Sequence, residues 1–180
     1  MLCNRINKFA LLAALLLLGA GGSAQTQTRE AQTRTDSPAA GGPTETAGET
    51  AAVMTLLSSY EAALNASNTA AVMPLYAEDG VFMPPSNPSA VGAAAVRQAY
   101  DAVFKAIKLN VKFTVAEVVR VAPNWAFART NSAGTVTVNA TGAKSAEANQ
   151  ELFIFKKGTD GAWKIARYSF STTNPPLRQQ

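Results

Sequence analysis

The chain has 180 residues, 47% of them hydrophobic and 16% charged, with a formal net charge of +4. That is enough chain for one domain with a real core that needs no disulfides. Arg5 and Lys8 lie in an N-terminal leader; without them the 16 basic residues become 14 against 12 acidic ones, a charge of +2, which is not a nucleic-acid balance. There is no histidine and the single cysteine is Cys3, which removes Ser-His-Asp and Cys-His catalysis, His-based zinc sites and His-held haem.

Residues 1–24 read as a secretory signal peptide. Arg5 and Lys8 supply the positive start, Phe9 to Leu18 is an apolar run short for a membrane span, and GAGGSA offers small residues for cleavage after Ala24. The expected location is periplasmic or secreted, with no stable membrane anchor after cleavage. Residues 25–48, QTQTREAQTRTDSPAAGGPTETAG, hold no leucine, valine or aromatic and read as a disordered linker. The domain proper is expected over 49–176, with 177–180 as a tail.

A first helix is predicted from about Glu49 to Asn65, because Val53, Leu56, Leu57, Tyr60 and Leu64 follow a helical period. Tyr60 lies on that apolar stripe, so its ring should be buried and its hydroxyl should need a partner. Asn65–Asn68 breaks the helix. Asn68 or Thr69 can cap a short second helix that reaches Tyr76, with Pro74 near its start. Glu78-Asp79-Gly80 reads as a turn, and Val81 to Met83 as a short strand stopped by Pro84 and Pro85. Gly92 leads a third helix, about Ala93 to Ile107.

From Leu109 the period changes to two. Val111, Phe113 and Val115 alternate with polar residues. After a turn at Pro123–Asn124, Trp125, Phe127, Arg129 and Asn131 share one face of a strand, and Ala126, Ala128 and Thr130 the other. This strand continues from Thr135 to Asn139 after a kink at Gly134. Gly142 to Ala148 reads as a polar loop. Gln150 to Lys156 returns with Glu151, Phe153 and Phe155 on one face, and Trp163 to Ser171 is the last strand. Helices followed by hairpin-linked strands imply an α+β domain with a curved antiparallel sheet.

Tyr60 to Pro85, YEAALNASNTAAVMPLYAEDGVFMPP, with Gly92 before a helix, resembles the opening of the ketosteroid-isomerase-like, or nuclear transport factor 2-like, superfamily. TVAEVVRVAPNWAFART, ANQELFIF and GAWKIARYSFSTTNPP are similar to the paired strands of its SnoaL-like branch, especially proteins of the SgcJ/EcaC oxidoreductase type. The resemblance covers roughly residues 50 to 176. It implies a cone-shaped half-barrel of curved antiparallel sheet wrapped over a long N-terminal helix, with about three helices in all. It also implies an apolar cavity between that helix and the concave sheet face. Tyr60 matches the oxyanion-donating tyrosine of the isomerases, Glu151 their protonated acid, and Pro84 their general-base aspartate. Proline has no ionisable group, and Asp79 in the preceding turn is poorly placed to replace it.

The expected pocket joins Tyr60, Arg129, Asn131 and Glu151 to Phe127, Phe153, Tyr168 and Phe170. Arg129 and Glu151 are expected to face each other as an ion pair rather than act in catalysis. The resemblance turns Ala166, Tyr168 and Phe170 inward and Trp163, Ile165 and Arg167 outward, which would make Trp163 and Ile165 part of a homodimer patch. Trp125 is expected in the core. No cofactor is expected: the glycine pairs lie in leader and linker, not between a strand and a helix, and no acid cluster suits a metal. The reading is an exported domain binding a small apolar molecule, without isomerase activity. Its alternatives are an isomerase or cyclase using Tyr60 and Glu151, or a homo-oligomerising association module.

Overall fold

The computed structural model describes residues 43–174. The leader, residues 25–42 of the segment read as linker, and residues 175–180 lie outside the described residues. Helix α1 (Pro43–Asn65) starts six residues before the predicted start at Glu49, with a proline in the first position, where a missing N–H leaves no hydrogen bond unmade. Val53, Leu56, Leu57, Tyr60, Ala63 and Leu64 are buried, as a 3.6-residue period requires. The short helix α2 (Thr69–Val72) is capped by the Asn68 carboxamide, which accepts from the Ala71 N–H at 3.0 Å. A 3-10 turn over Met73–Leu75 follows.

Strand β1 (Tyr76–Met83) begins earlier than periodicity suggested. Tyr76 is not the end of the second helix but the first, buried residue of this strand, and Glu78-Asp79-Gly80 lie within it as an irregular segment rather than a separate turn. Gly80 fits where a Cβ would come within 2.8 Å of the Ala77 carbonyl oxygen. After a two-residue strand β2 (Ala90–Val91), Gly92 at φ 82° leads helix α3 (Ala93–Ala106). The long strands β3 (Ile107–Ala122), β4 (Trp125–Val138), β5 (Lys144–Lys157) and β6 (Trp163–Thr172) complete the domain. The stretch read as a polar loop from Gly142 is mostly strand, since Lys144 pairs with Thr137.

The six strands form one curved sheet in the order β2-β1-β6-β5-β4-β3. All neighbours are antiparallel except β1 and β6, which run parallel. α1 and α3 cover the concave face, and the core lies between them, as the cone-like architecture implies. Two side chains near the end of α1 fix it to the free edge of β3. Asn65 donates to the Val111 carbonyl and accepts from the Val111 N–H, both at 2.8 Å, while Glu61 accepts from the Phe113 N–H at 2.7 Å. The other end is tied by Glu49, 2.6 Å from Lys157 and 3.3 Å from Arg120. Asn139 beside the β4–β5 turn donates to the last carbonyls of α3, Phe104 and Lys105, each at 3.0 Å.

Two faces differ from simple alternation. In β6 the register skips at Ala166: Ile165 pairs with Phe155 and Arg167 with Ile154, so Ala166 is an extra residue. Such a bulge shifts the phase of the strand. Trp163 and Ile165 therefore join Tyr168 on the inner side, 6% and 0% exposed, and are not an outer patch. In β4 the inner face is Ala126, Ala128, Thr130 and Ser132, all buried; Phe127, Arg129 and Asn131 face outward, and Trp125 is only half-buried. Small residues turn inward because their partners on β5 are large: Ala126 opposes Phe155 and Ala128 opposes Phe153.

The bulge at Ala166 can be tested through Ile165. Ile165→Ala is expected to cost about 2–5 kcal/mol as a core truncation. On an outer face the same change would stay within about 0.5 kcal/mol. Denaturant unfolding of the two chains gives the difference.

Candidate functional site

An apolar cavity of about 260 Å3 opens between α1, α3 and the concave sheet face. Its walls include Tyr60 and Leu64 from α1, Tyr100 from α3, Phe113 from β3, and Tyr168 and Phe170 from β6. The inner face of β5 grades with depth. Phe155 and Phe153 are fully buried in the core, Glu151 and Asn149 border the cavity, and half-buried Glu147 lies toward its rim. A larger, shallow depression of about 730 Å3 lies elsewhere, between Glu78, Asp79, Lys156 and Asp160. It is more open and charged, so the deeper, apolar cavity is the better candidate for a bound molecule.

All four tyrosines of the chain meet in one buried cluster beside this cavity. The Tyr100 hydroxyl lies 2.5 Å from that of Tyr60 and 2.8 Å from that of Tyr76. The Tyr60 ring meets Tyr168 and Phe153 edge-on, each with centroids 5.5 Å apart. The Tyr168 hydroxyl continues the line, interacting with both Tyr60 and the Glu151 carboxyl. Burial pushes all four phenols well above the ordinary tyrosine range, so they are neutral at physiological pH. The hydroxyl of Tyr60 thus has the partner its place on the helix demanded, and that partner is Tyr100.

Glu151 is 4% exposed, and Thr130 donates to it from the opposite position on β4. Burial raises its carboxyl above the ordinary range; hydrogen bonds from Thr130, Ser132 and Tyr168 oppose that shift. Arg129 is not its partner. The register sets Glu151 against Thr130 and Leu152 against Arg129, and a one-residue offset in a strand changes the face. Arg129 instead pairs on the outer side with Glu117, its directly opposed neighbour on β3, at 2.8 Å. Both side chains are largely exposed, so the pair is worth about 0–1 kcal/mol.

Of the residues expected in the pocket, Tyr60, Glu151, Tyr168 and Phe170 line the cavity, and Phe153 packs in the core behind Tyr60. Phe127 is on the outer face, and Arg129 and Asn131 border a separate depression there. Pro84 lines the cavity, while Asp79 is exposed and held by Lys156 at 3.1 Å. Glu147, Asn149 and Ser132 are additions. Alternation carried back from Glu151 finds the first two, but reading Gly142 to Ala148 as a loop stopped it short. Among the described residues no group of acids is able to hold a metal, and no helix is long and apolar enough to cross a membrane.

The raised carboxyl has a consequence for stability. Between the ordinary glutamate value, about 4.3, and the higher value in the fold, the folded chain keeps a proton that the unfolded chain has lost. Glu151 therefore stabilises fully below the ordinary value, and that contribution falls as pH rises through it toward the folded value. Glu151→Gln should remove this slope, so the stability difference between the two proteins should drift in favour of the variant as pH rises. Urea midpoints across a pH series read this directly; parallel curves would contradict it.

Comparison with known proteins places the fold. A family model for the SnoaL-like domain matches residues 57–168. A ketosteroid isomerase-like protein from Erwinia carotovora atroseptica SCRI1043 is 36% identical, with a TM-score of 0.68 over 71% of this chain and 98% of that one. A conserved protein from Planctomyces limnophilus DSM 3776 is 21% identical, with a TM-score of 0.62 over 70% and 98%. A hexachlorocyclohexane dehydrochlorinase, LinA type 2, has a TM-score of 0.67 over 77% and 95% at 11% identity, which is likeness of fold alone. No curated protein matches the chain. The chain belongs to the SnoaL-like domain family, in the ketosteroid-isomerase-like superfamily.

Proposed function

We propose that the domain binds a small, mostly apolar molecule in the cavity and does not isomerise it. The reading rests on one observation above all: a partly open, mostly apolar space with aromatic walls. The resemblance to the isomerases puts Pro84 where a base would be needed, and Asp79 is engaged by Lys156. The rival reading, an isomerase or cyclase with Tyr60 and Glu151 polarising a carbonyl, draws on the raised Glu151 carboxyl and its contact with Tyr168. Native mass spectrometry of protein purified from its own host should find a retained small molecule, and a ketosteroid enone should be left unchanged. Isomerisation of that enone, lost in Tyr60→Phe, would favour the rival.

The place of action is proposed as periplasmic or extracellular, on the leader-like residues 1–24. Association as a homodimer is a further reading, and it needs a different patch from Trp163 and Ile165. Val119, Phe127 and Ile154 are opposed across three neighbouring strands on the outer face, with Leu152, 46% exposed, beside them. Light scattering is expected to give twice the chain mass, and Leu152→Glu should shift it toward one. A monomer at high concentration would remove this reading.

A further inference from the structure

The mouth of the cavity has a chemical bias that its apolar walls do not explain. Glu147, Asn149 and Glu151 lie two residues apart along β5 and all border the cavity. Asn149 is 7% exposed, and its amide nitrogen is engaged by the Glu147 carboxylate at 2.9 Å and the Ser132 hydroxyl at 3.5 Å. Those bonds fix the orientation of the amide. Its Oδ1 is buried with no partner. A buried acceptor left without a donor is costly, so it is a place where a donor from a bound molecule would be rewarded. Glu147 has no ion pair among the described residues. The described residues that line the cavity include no lysine or arginine, and the chain has no histidine.

We propose that the cavity selects a small apolar molecule carrying a protonated amine, with the ammonium held by Asn149 Oδ1 and the carboxyl groups of Glu147 and Glu151. This rests on the reading of the cavity as a binding site and names the class of its ligand. An ammonium is all donor, and Asn149 Oδ1 and the two carboxyl groups are acceptors, Oδ1 with no partner and Glu147 with one oxygen engaged by the Asn149 amide. Its charge offsets Glu147, which has no cation beside it among the described residues. The rings of Tyr60, Phe113 and Tyr168 in the same walls supply apolar contact for the rest of the molecule. A carboxylate ligand would face two acids with no cation to receive it. A neutral alcohol would satisfy Asn149 and leave Glu147 uncompensated. The volume, about 260 Å3, lies just under the usual range of about 300–1,000 Å3, which suits one or two fused rings with a short arm.

The test uses the full chain and one skeleton with three head groups: naphthylethylamine, naphthylethanol and naphthylacetate, titrated calorimetrically at neutral pH. The amine is expected to bind at least ~tenfold more tightly than the alcohol, about 1.4 kcal/mol, and the acetate more weakly than either. Glu147→Gln, at a half-buried position, should lower amine affinity severalfold and alcohol affinity by less, and Asn149→Ala should weaken both. If the alcohol or the acetate binds as tightly as the amine, the proposed selectivity is wrong while the cavity remains a binding site. If none of the three binds, both the selectivity and the underlying reading of the cavity fall.

Discussion

The fold depends on how the free edge of the sheet is closed. β3 is the last strand in the order, so the backbone groups of Val111 and Phe113 that point away from β4 have no strand to meet. An open edge of this kind invites pairing with other chains. Here Asn65 offers both ends of its carboxamide to Val111, as a neighbouring strand would, and Glu61 takes the Phe113 N–H. The same contacts that close the edge hold α1 across the concave face. That places Tyr60 over Phe153 and Tyr168, and the cavity is what remains between them. Helix position, edge protection and cavity shape are thus one arrangement.

Within that frame β4 and β5 divide the work by size. Each inward residue of β4 is small where its opposite on β5 is large or polar: Ala126 against Phe155, Ala128 against Phe153, Thr130 against Glu151, Ser132 against Asn149. The alanines leave room for stacked rings, and the two hydroxyl side chains supply hydrogen bonds to groups that would otherwise be stranded. One strand therefore carries both the floor of the core and the rim of the cavity. Gly134 serves the same close approach from the other side, since a Cβ there would collide with the Asn110 carbonyl oxygen.

The helical half was legible because a 3.6-residue stripe names its own buried side; Val53 through Leu64 are buried where the period puts them. A period of two divides a strand into two faces without saying which is inside. For β4, choosing the aromatic face was wrong because volume across the sheet decides it, and Phe153 and Phe155 already fill the interior. Arg129 and Asn131 left the expected pocket for that reason. Trp163 and Ile165 moved the other way because Ala166 breaks the alternation, and nothing in KIARYSF marks that residue as supernumerary. Tyr60 and Glu151 line the cavity. Their partners, Tyr100 and Thr130, lie 40 and 21 residues away, beyond any local pattern.

The gathering of all four tyrosines into one buried cluster sets an alkaline limit on the fold. A free phenol loses its proton near pH 10; in this core burial pushes each of the four higher. The stability they confer is present in full below the unfolded value and is lost as pH rises through it, because only the unfolded chain can then release the protons. The four act in the same direction, so the loss is steep. Ionised phenols also absorb differently from neutral ones, and no tyrosine lies outside the cluster to blur the signal. The appearance of tyrosinate in base therefore reports the opening of this core itself.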